Sequence, residues 1–192
     1  AFLNKGVKIQ LTEESSDEQS CFYFEGGLSS YCEYLNTGKT PINSSIFSAY
    51  VEQVKEGVVQ SQIDCVLQWT DSYQENIHSY VNNINTTEGG THLTGLKSAL
   101  TRVVNQFAEQ SGQLKSLKST LTGEDVREGL TAIIAVRMKN PEFQGQTKTK
   151  LGSAEIRGWV EATISDKLTD YFNENPTVIK RIITKITEAA RA

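Results

Sequence analysis

The chain has 192 residues, 38% of them hydrophobic and 22% charged, with a net charge of -4 and a pI near 5.3. This composition supports one or two small domains with a true core, and excludes a collagen-like, coiled-coil or wholly disordered chain. No apolar run approaches the ~20 residues of a membrane helix and no signal-peptide pattern opens the chain, so a cytoplasmic location is expected. A dedicated nucleic-acid module would be basic, so any contact with DNA has to come from a local patch. The chain begins at Ala1 and its only methionine is Met138, so an excised piece of a longer protein is expected. Cys21, Cys32 and Cys65 are odd in number and lack zinc spacing, which predicts buried or free thiols in a reducing compartment.

Residues 1–24 predict two strands. Val7, Ile9 and Leu11 alternate with polar residues, and Phe22-Tyr23-Phe24 follows an acidic, serine-rich turn. Two strands alone are barely stable in water, so this half-buried pair is expected to finish a sheet belonging to something upstream. After Gly26-Gly27, the spacing of Leu28, Tyr31, Cys32 and Leu35 predicts a short helix to about Asn36. Gly38-Lys39-Thr40 mimics the end of a phosphate-binding loop, but Glu33 stands where that motif needs glycine, so the likeness is chance.

Ile42 to Tyr50 has no decisive period. Ile63–Trp69 and Gln74–Val81 predict strands, joined as a hairpin through Thr70-Asp71-Ser72-Tyr73. Asn82–Gly90 predicts a polar loop. Asn43-Ser44-Ser45 and Asn85-Thr86-Thr87 fit the glycosylation pattern, but without a secretory signal both are expected to be plain loop residues. Leu93, Leu96, Leu100, Val103, Val104 and Phe107 mark the apolar face of a long helix from His92 to about Gln110. Lys97, Thr101 and Asn105 lie one turn apart on a polar face. A loop with Lys115 and Lys118 leads to a helical turn at Glu124–Gly129, and Thr131–Lys139 predicts a strong strand. Ser153 is the expected N-cap of a helix whose buried stripe is Ile156, Val160, Ile164, Leu168 and Tyr171-Phe172. Asn175-Pro176 restarts the chain into a last amphipathic helix. The sum is an α+β fold, a small mixed or antiparallel sheet covered on one face by helices.

No complete catalytic site assembles from these residues. His78 and His92 lack nucleophile or metal partners in sequence, and the Glu124-Asp125 pair suits a helix start. The stretch from Phe143 to Gly152 is different. Gln146 can donate an amide hydrogen bond to a phosphate oxygen and Lys148 can supply a point charge. Gly145 and Gly152 are expected to let the backbone bend on either side. A solvated loop lysine is the plainer alternative.

Gln146-Thr147-Lys148, following a strand and Asn140-Pro141-Glu142-Phe143, resembles the Gln-Thr-Lys loop of type IIA topoisomerases. Other stretches resemble the bacterial ATPase subunit of that family in the same order. They are Ala1-Phe2-Leu3-Asn4-Lys5-Gly6, Glu25-Gly26-Gly27-Leu28, Glu33-Tyr34-Leu35-Asn36 and Tyr80-Val81-Asn82-Asn83-Ile84, then Glu88-Gly89-Gly90-Thr91-His92-Leu93 and Gly123-Glu124-Asp125-Val126-Arg127-Glu128-Gly129-Leu130. The gyrase B type is the nearest, with the topoisomerase IV equivalent second, and Ser44 to Gln62 is the least family-like part.

The resemblance implies the left-handed βαβ transducer fold of the GHKL ATPase–topoisomerase family with a long C-terminal helix. Residues 1–24 would be the last strands of an upstream GHKL ATPase domain, 25–174 the transducer domain, and 175–192 a helix leading toward the DNA gate. Lys148 would reach the γ-phosphate of ATP held by the upstream domain, with Gln146 beside it and Thr147 positioning the loop. Lys97, Lys115 and Lys118 would face the transported duplex. ATP and Mg2+ would be bound mainly by the missing domain, so no cofactor and no hydrolysis are expected in this piece alone. The implied partners are that domain, a gyrase A-type breakage–reunion subunit, double-stranded DNA and a second copy in the full enzyme, with a monomer or weak dimer expected here. The alternatives are a stand-alone module that binds RNA or a protein, and a mismatch-repair or chaperone relative.

Overall fold

The computed structural model describes residues 1–112 and 120–189. The chain opens with a hairpin, β1 (Ile9–Thr12) against β2 (Gln19–Phe22), that forms a sheet of its own. Every residue of both strands is exposed, Leu11 at 61%, where the alternation predicts a half-buried pair. Period-two patterning marks a face that can be buried, and here no second layer lies over it.

Ten further elements follow among the described residues. They are α1 (Leu28–Leu35), β3 (Phe47–Lys55), β4 (Val58–Trp69), β5 (Asn76–Val81), β6 (Ile84–Asn85), α2 (Thr91–Gln110), α3 (Gly123–Arg127), β7 (Leu130–Met138), α4 (Ala154–Glu174) and α5 (Pro176–Ala189). The five strands order as β3-β4-β7-β5-β6. β7 is antiparallel to β4 and parallel to β5. The expected β4–β5 hairpin is therefore absent: β7 lies between those strands, and Thr70–Tyr73 links strands that are not neighbours. Parallel neighbours need a crossover, and α2 and α3 supply it between β5 and β7.

Two tight hairpins stand where the sequence predicts ambiguity or loop. β3 turns into β4 at Glu56 (φ 52°) and Gly57 (φ 75°), and β5 into β6 at Asn82 (φ 49°) and Asn83 (φ 67°). Consecutive left-handed residues match the twist of antiparallel strands. Asn85 is thus a strand residue, and Asn43 is fully buried, its amide bonding the Leu67 carbonyl and its Oδ1 accepting from the Trp69 N–H at 2.7 Å.

β4 and β7 are covered on both faces, which explains their near-continuous apolar runs. On one face Ile63, Cys65, Leu67 and Ile134 meet α2, α4 and α5. Gly95 lets α2 close on α4, since a Cβ there would stand 2.5 Å from the Arg157 carbonyl oxygen. On the other face, Leu28 and Cys32 of α1 pack on Val66, Tyr80 and Ile133. Burial pushes the Cys32 thiol up to about 12 and the Cys65 thiol up as well, so both remain protonated packing groups.

Helix starts divide between expectation and correction. Thr122 and Asp125 form a reciprocal capping box at α3. Ser153 takes the expected N-cap position of α4 but makes no side-chain cap bond; its buried hydroxyl accepts instead from the Glu142 N–H at 3.0 Å across the loop.

Candidate functional site

Past β7 the chain doubles back as a short arm. The Gln144 N–H donates to the Lys150 carbonyl at 2.8 Å and the Gly152 N–H to the Glu142 carbonyl at 2.7 Å, closing the arm on itself. At its tip Gly145 has φ 88° and Lys148 φ 55°. Gly152, expected as the second bend, does not take positive φ; a Cβ there would stand 3.4 Å from Glu142 O and Gln144 Cγ. Lys148 makes the second left-handed bend itself.

The arm hangs on the segment Glu88–Thr91, which enters α2. Glu88 N–H donates to Thr149 O (2.9 Å), Leu151 N–H to Gly89 O (3.0 Å) and Thr91 N–H to Leu151 O (3.1 Å). The Thr149 hydroxyl adds a bond to Glu88 Oε2 at 2.8 Å. Gly90 (φ 133°) allows this approach, because a Cβ would fall 2.4 Å from the backbone N and O of Leu151.

Gln146, Thr147 and Lys148 are exposed on the arm. Thr147 Oγ1 lies 3.4 Å from Thr149 Oγ1, and Lys148 forms no ion pair with any described residue. The three residues are thus presented outward together, with an uncommitted ammonium. A groove of about 300 Å³ beside the arm is lined by Glu88, Thr94, Lys97, Gln144 and Lys150 among others.

Lys97 is not free. Its Nζ lies 3.3 Å from Glu75 Oε1, while Arg127 Nε holds Glu75 Oε2 at 2.6 Å. Burial pushes the Glu75 carboxyl up, but the Arg127 hydrogen bond and charge, with Lys97, outweigh it and hold it below its ordinary value. Thr101 and Asn105, on the same polar face, are engaged too: the Thr101 hydroxyl donates to the Lys97 carbonyl, and Asn105 bonds the backbone N–H and carbonyl of Leu121, each at 2.9 Å. Lys115 and Lys118 lie outside the described residues.

His92 is fully buried with Nε2 3.1 Å from Thr86 Oγ1, and burial lowers its pKa to about 4. His78 Nε2 lies 2.9 Å from Asn76 Oδ1, and burial lowers its pKa. The hydroxyl beside His92 is buried and engaged with Ser79, and among the described residues His78 has only the Asn76 amide as a hydrogen-bond partner. Among the described residues, no three His, Cys, Asp or Glu gather as a metal site, and no helix is long and apolar enough to cross a membrane. The arrangement can place one positive charge and one amide against an anion held elsewhere. Sequence reasoning missed the frame beneath the arm, Glu88, Gly90 and Thr149, and the Glu75–Arg127 pair; only the doubled Gly89-Gly90 hinted at a close backbone approach.

The family model for DNA gyrase B matches residues 27–192. The DNA gyrase B protein of Clostridium acetobutylicum is 48% identical over 194 residues, and that of Haloferax volcanii 50% over 193. Both alignments span all of this chain, but only 30% and 29% of those relatives' lengths. The 43K ATPase domain of Thermus thermophilus gyrase B, solved with an aminocoumarin, superposes over 99% of this chain and 50% of its own, with a TM-score of 0.84 at 30% identity. The topoisomerase IV ATP-binding domain of Francisella tularensis, solved with a small-molecule inhibitor, does so over 99% and 50%, with a TM-score of 0.78 at 29% identity. The chain, an α+β fold with a helix-covered mixed sheet, belongs to the DNA gyrase B family.

Proposed function

We propose that this chain is the transducer part of a gyrase B-type topoisomerase, and that Lys148 contacts the terminal phosphate of ATP held by a preceding nucleotide-binding domain. The supporting observation is the arm. Lys148 is exposed, unpaired among the described residues, and carried on a loop that backbone hydrogen bonds lock to the start of α2. An exposed lysine with no partner of its own, on a fixed arm, suits a site that another domain completes.

ATP supplies the transferable phosphoryl group. In this reading the Gln146 amide and the Lys148 ammonium meet the γ-phosphoryl oxygens, which a diphosphate lacks. A contact made to the triphosphate alone ties the arm to the neighbouring domain before hydrolysis and releases it afterwards. The same charge stabilises the phosphoryl oxygens as the bond breaks. Movement of the arm passes into α4, whose first turn follows Gly152-Ser153. In this reading residues 1–24 belong to the nucleotide-binding domain, 25–174 to the transducer and 175–192 to the connection toward the DNA gate. The exposed β1–β2 hairpin would then be covered by that domain. A breakage–reunion subunit, a second copy of the full protein and a transported DNA duplex are the partners, with Mg2+ bound alongside ATP outside this chain. Lys97 reaches a phosphate of that duplex only by leaving Glu75, which suits a passage surface better than a tight binding site.

In the full-length protein, Lys148→Ala should lower kcat for ATP hydrolysis about 100-fold or more while leaving ADP binding unchanged. Wild-type turnover in that variant would sink the assignment.

A further inference from the structure

We infer that His92 is a positioning residue for Lys148, acting through Thr86 and the Glu88–Thr91 frame. The inference rests on the role given to Lys148 above.

His92 sits in the first turn of α2 with its ring fully buried. Its one polar contact is Thr86 Oγ1 at 3.1 Å, and Nδ1 has no partner among the described residues. The Thr86 hydroxyl has a single proton, which it can give to the Ser79 carbonyl at 2.9 Å. Ser79 Oγ lies 3.0 Å from the Thr86 carbonyl and 2.7 Å from Thr86 Oγ1, so Ser79 offers the Thr86 proton a second acceptor. With the Thr86 proton spent on Ser79, the hydrogen between Thr86 and His92 comes from the ring, so Nε2 carries it. Nδ1 is then a bare lone pair. The opposite tautomer would bury an N–H donor with nothing to receive it, the costlier arrangement.

Thr86 therefore joins three parts of the molecule: β5 through Ser79, the α2 first turn through His92, and the frame through its own carbonyl, which accepts from the Gly89 N–H at 2.8 Å. The next links are the frame's bonds to Thr149 and Leu151, and Lys148 immediately precedes Thr149. Among the described residues nothing anchors the Lys148 ammonium, so its place is set by the arm's backbone. A shift of about 1 Å in such a group is enough to impair a reaction strongly.

A purely structural duty would not need an imidazole here. Leucine would remove the orphaned Nδ1, and Thr86 would still be satisfied by Ser79. What leucine cannot do is tie α2 to Thr86.

Two measurements decide this. On this chain, hydrogen exchange is followed at the Glu88 and Leu151 amides, the donors of the frame–arm bonds, with β4–β7 amides as the control. His92→Leu should speed both about tenfold and leave the control unchanged. His92→Asn, too short to reach Thr86, should do the same if the leucine variant folds poorly. His92→Gln, whose amide nitrogen can replace Nε2, should restore protection to within about twofold. In the full-length protein, His92→Leu should lower kcat for ATP hydrolysis about tenfold with KM unchanged, and should add nothing in a Lys148→Ala background. Unchanged exchange in both lesions, failure of glutamine to rescue, or a further loss on top of Lys148→Ala each overturn the inference. Wild-type turnover in Lys148→Ala would instead sink the phosphate contact, and the exchange result would still decide whether His92 fixes the arm.

Discussion

Lys148 holds a backbone conformation that its side chain disfavours. At φ 55° it lies in the left-handed region, which costs a residue with a Cβ about 1–2 kcal/mol. Strain of this kind is retained where the geometry serves a site. Lys148→Gly should therefore raise stability by about 0.5 kcal/mol, after the entropy cost of glycine, even as it removes the ammonium. Urea denaturation of this chain reads the change directly, and a fall in midpoint would contradict the strain.

His92 gives a pH signature. Its folded pKa is lowered to about 4 by burial, from 6.5. Below 6.5 the unfolded chain takes up a proton that the folded chain refuses. The stability from this group is thus whole above pH 6.5 and drains as pH falls toward 4. By pH 5 the loss is about 2 kcal/mol, to be seen in urea midpoints and missing from His92→Gln. The sequence made both residues visible by type and motif. It could not show the sign of φ at Lys148, which goes with the closing of the arm, or the burial of His92, which the packing of the folded molecule decides.

At the scale of elements, the arm and its frame behave as one unit. Gly90→Ala places a Cβ 2.4 Å from the Leu151 backbone at φ 133°. It should cost about 3 kcal/mol or more and expose the Leu151 amide to exchange. Gly57→Ala is the contrast: φ is 75° but nothing lies within 4 Å. Only backbone strain remains, about 1 kcal/mol, and thermal melts of the two variants should separate them.

The three long helices were legible because their apolar residues recur at helical spacing and pack on one side. The outer half of the β3–β4 hairpin was not. Its side chains from Glu52 to Val58 are exposed, so no alternation marks it, and Glu56 carries no turn signature of its own. Parallel pairing of β5 with β7 was hidden for another reason. A turn-like Thr70–Tyr73 suggests a hairpin locally, while the true neighbour of both strands lies more than 45 residues later.

For the molecule as a whole, the central place of β7 means that the sheet closes only when residues 130–138 join β4 and β5. Ile134→Ala, at a fully buried site of this strand, should cost about 3 kcal/mol in a thermal or urea melt. Lys185 ties the last helix to the same region. Its ammonium donates to the carbonyls of Thr70, Ser72 and Glu128, and burial lowers its pKa. Lys185→Met, which orphans those carbonyls, should cost about 2–3 kcal/mol and loosen α5 before the sheet, a difference that helix and sheet amides report separately in exchange.

Local pattern was enough to set the α+β class, the three core helices, the strong β7 strand and the Gln146–Lys148 motif. These depend on periodicity, capping and residue type, which act over a few residues. Three features belong to the folded molecule instead: β7 separates β4 from β5, Glu75 occupies Lys97, and the lysine-bearing arm is latched to the start of α2. Each of those is a contact between segments far apart in the chain, where burial and unpaired backbone groups, rather than local preference, select the partner.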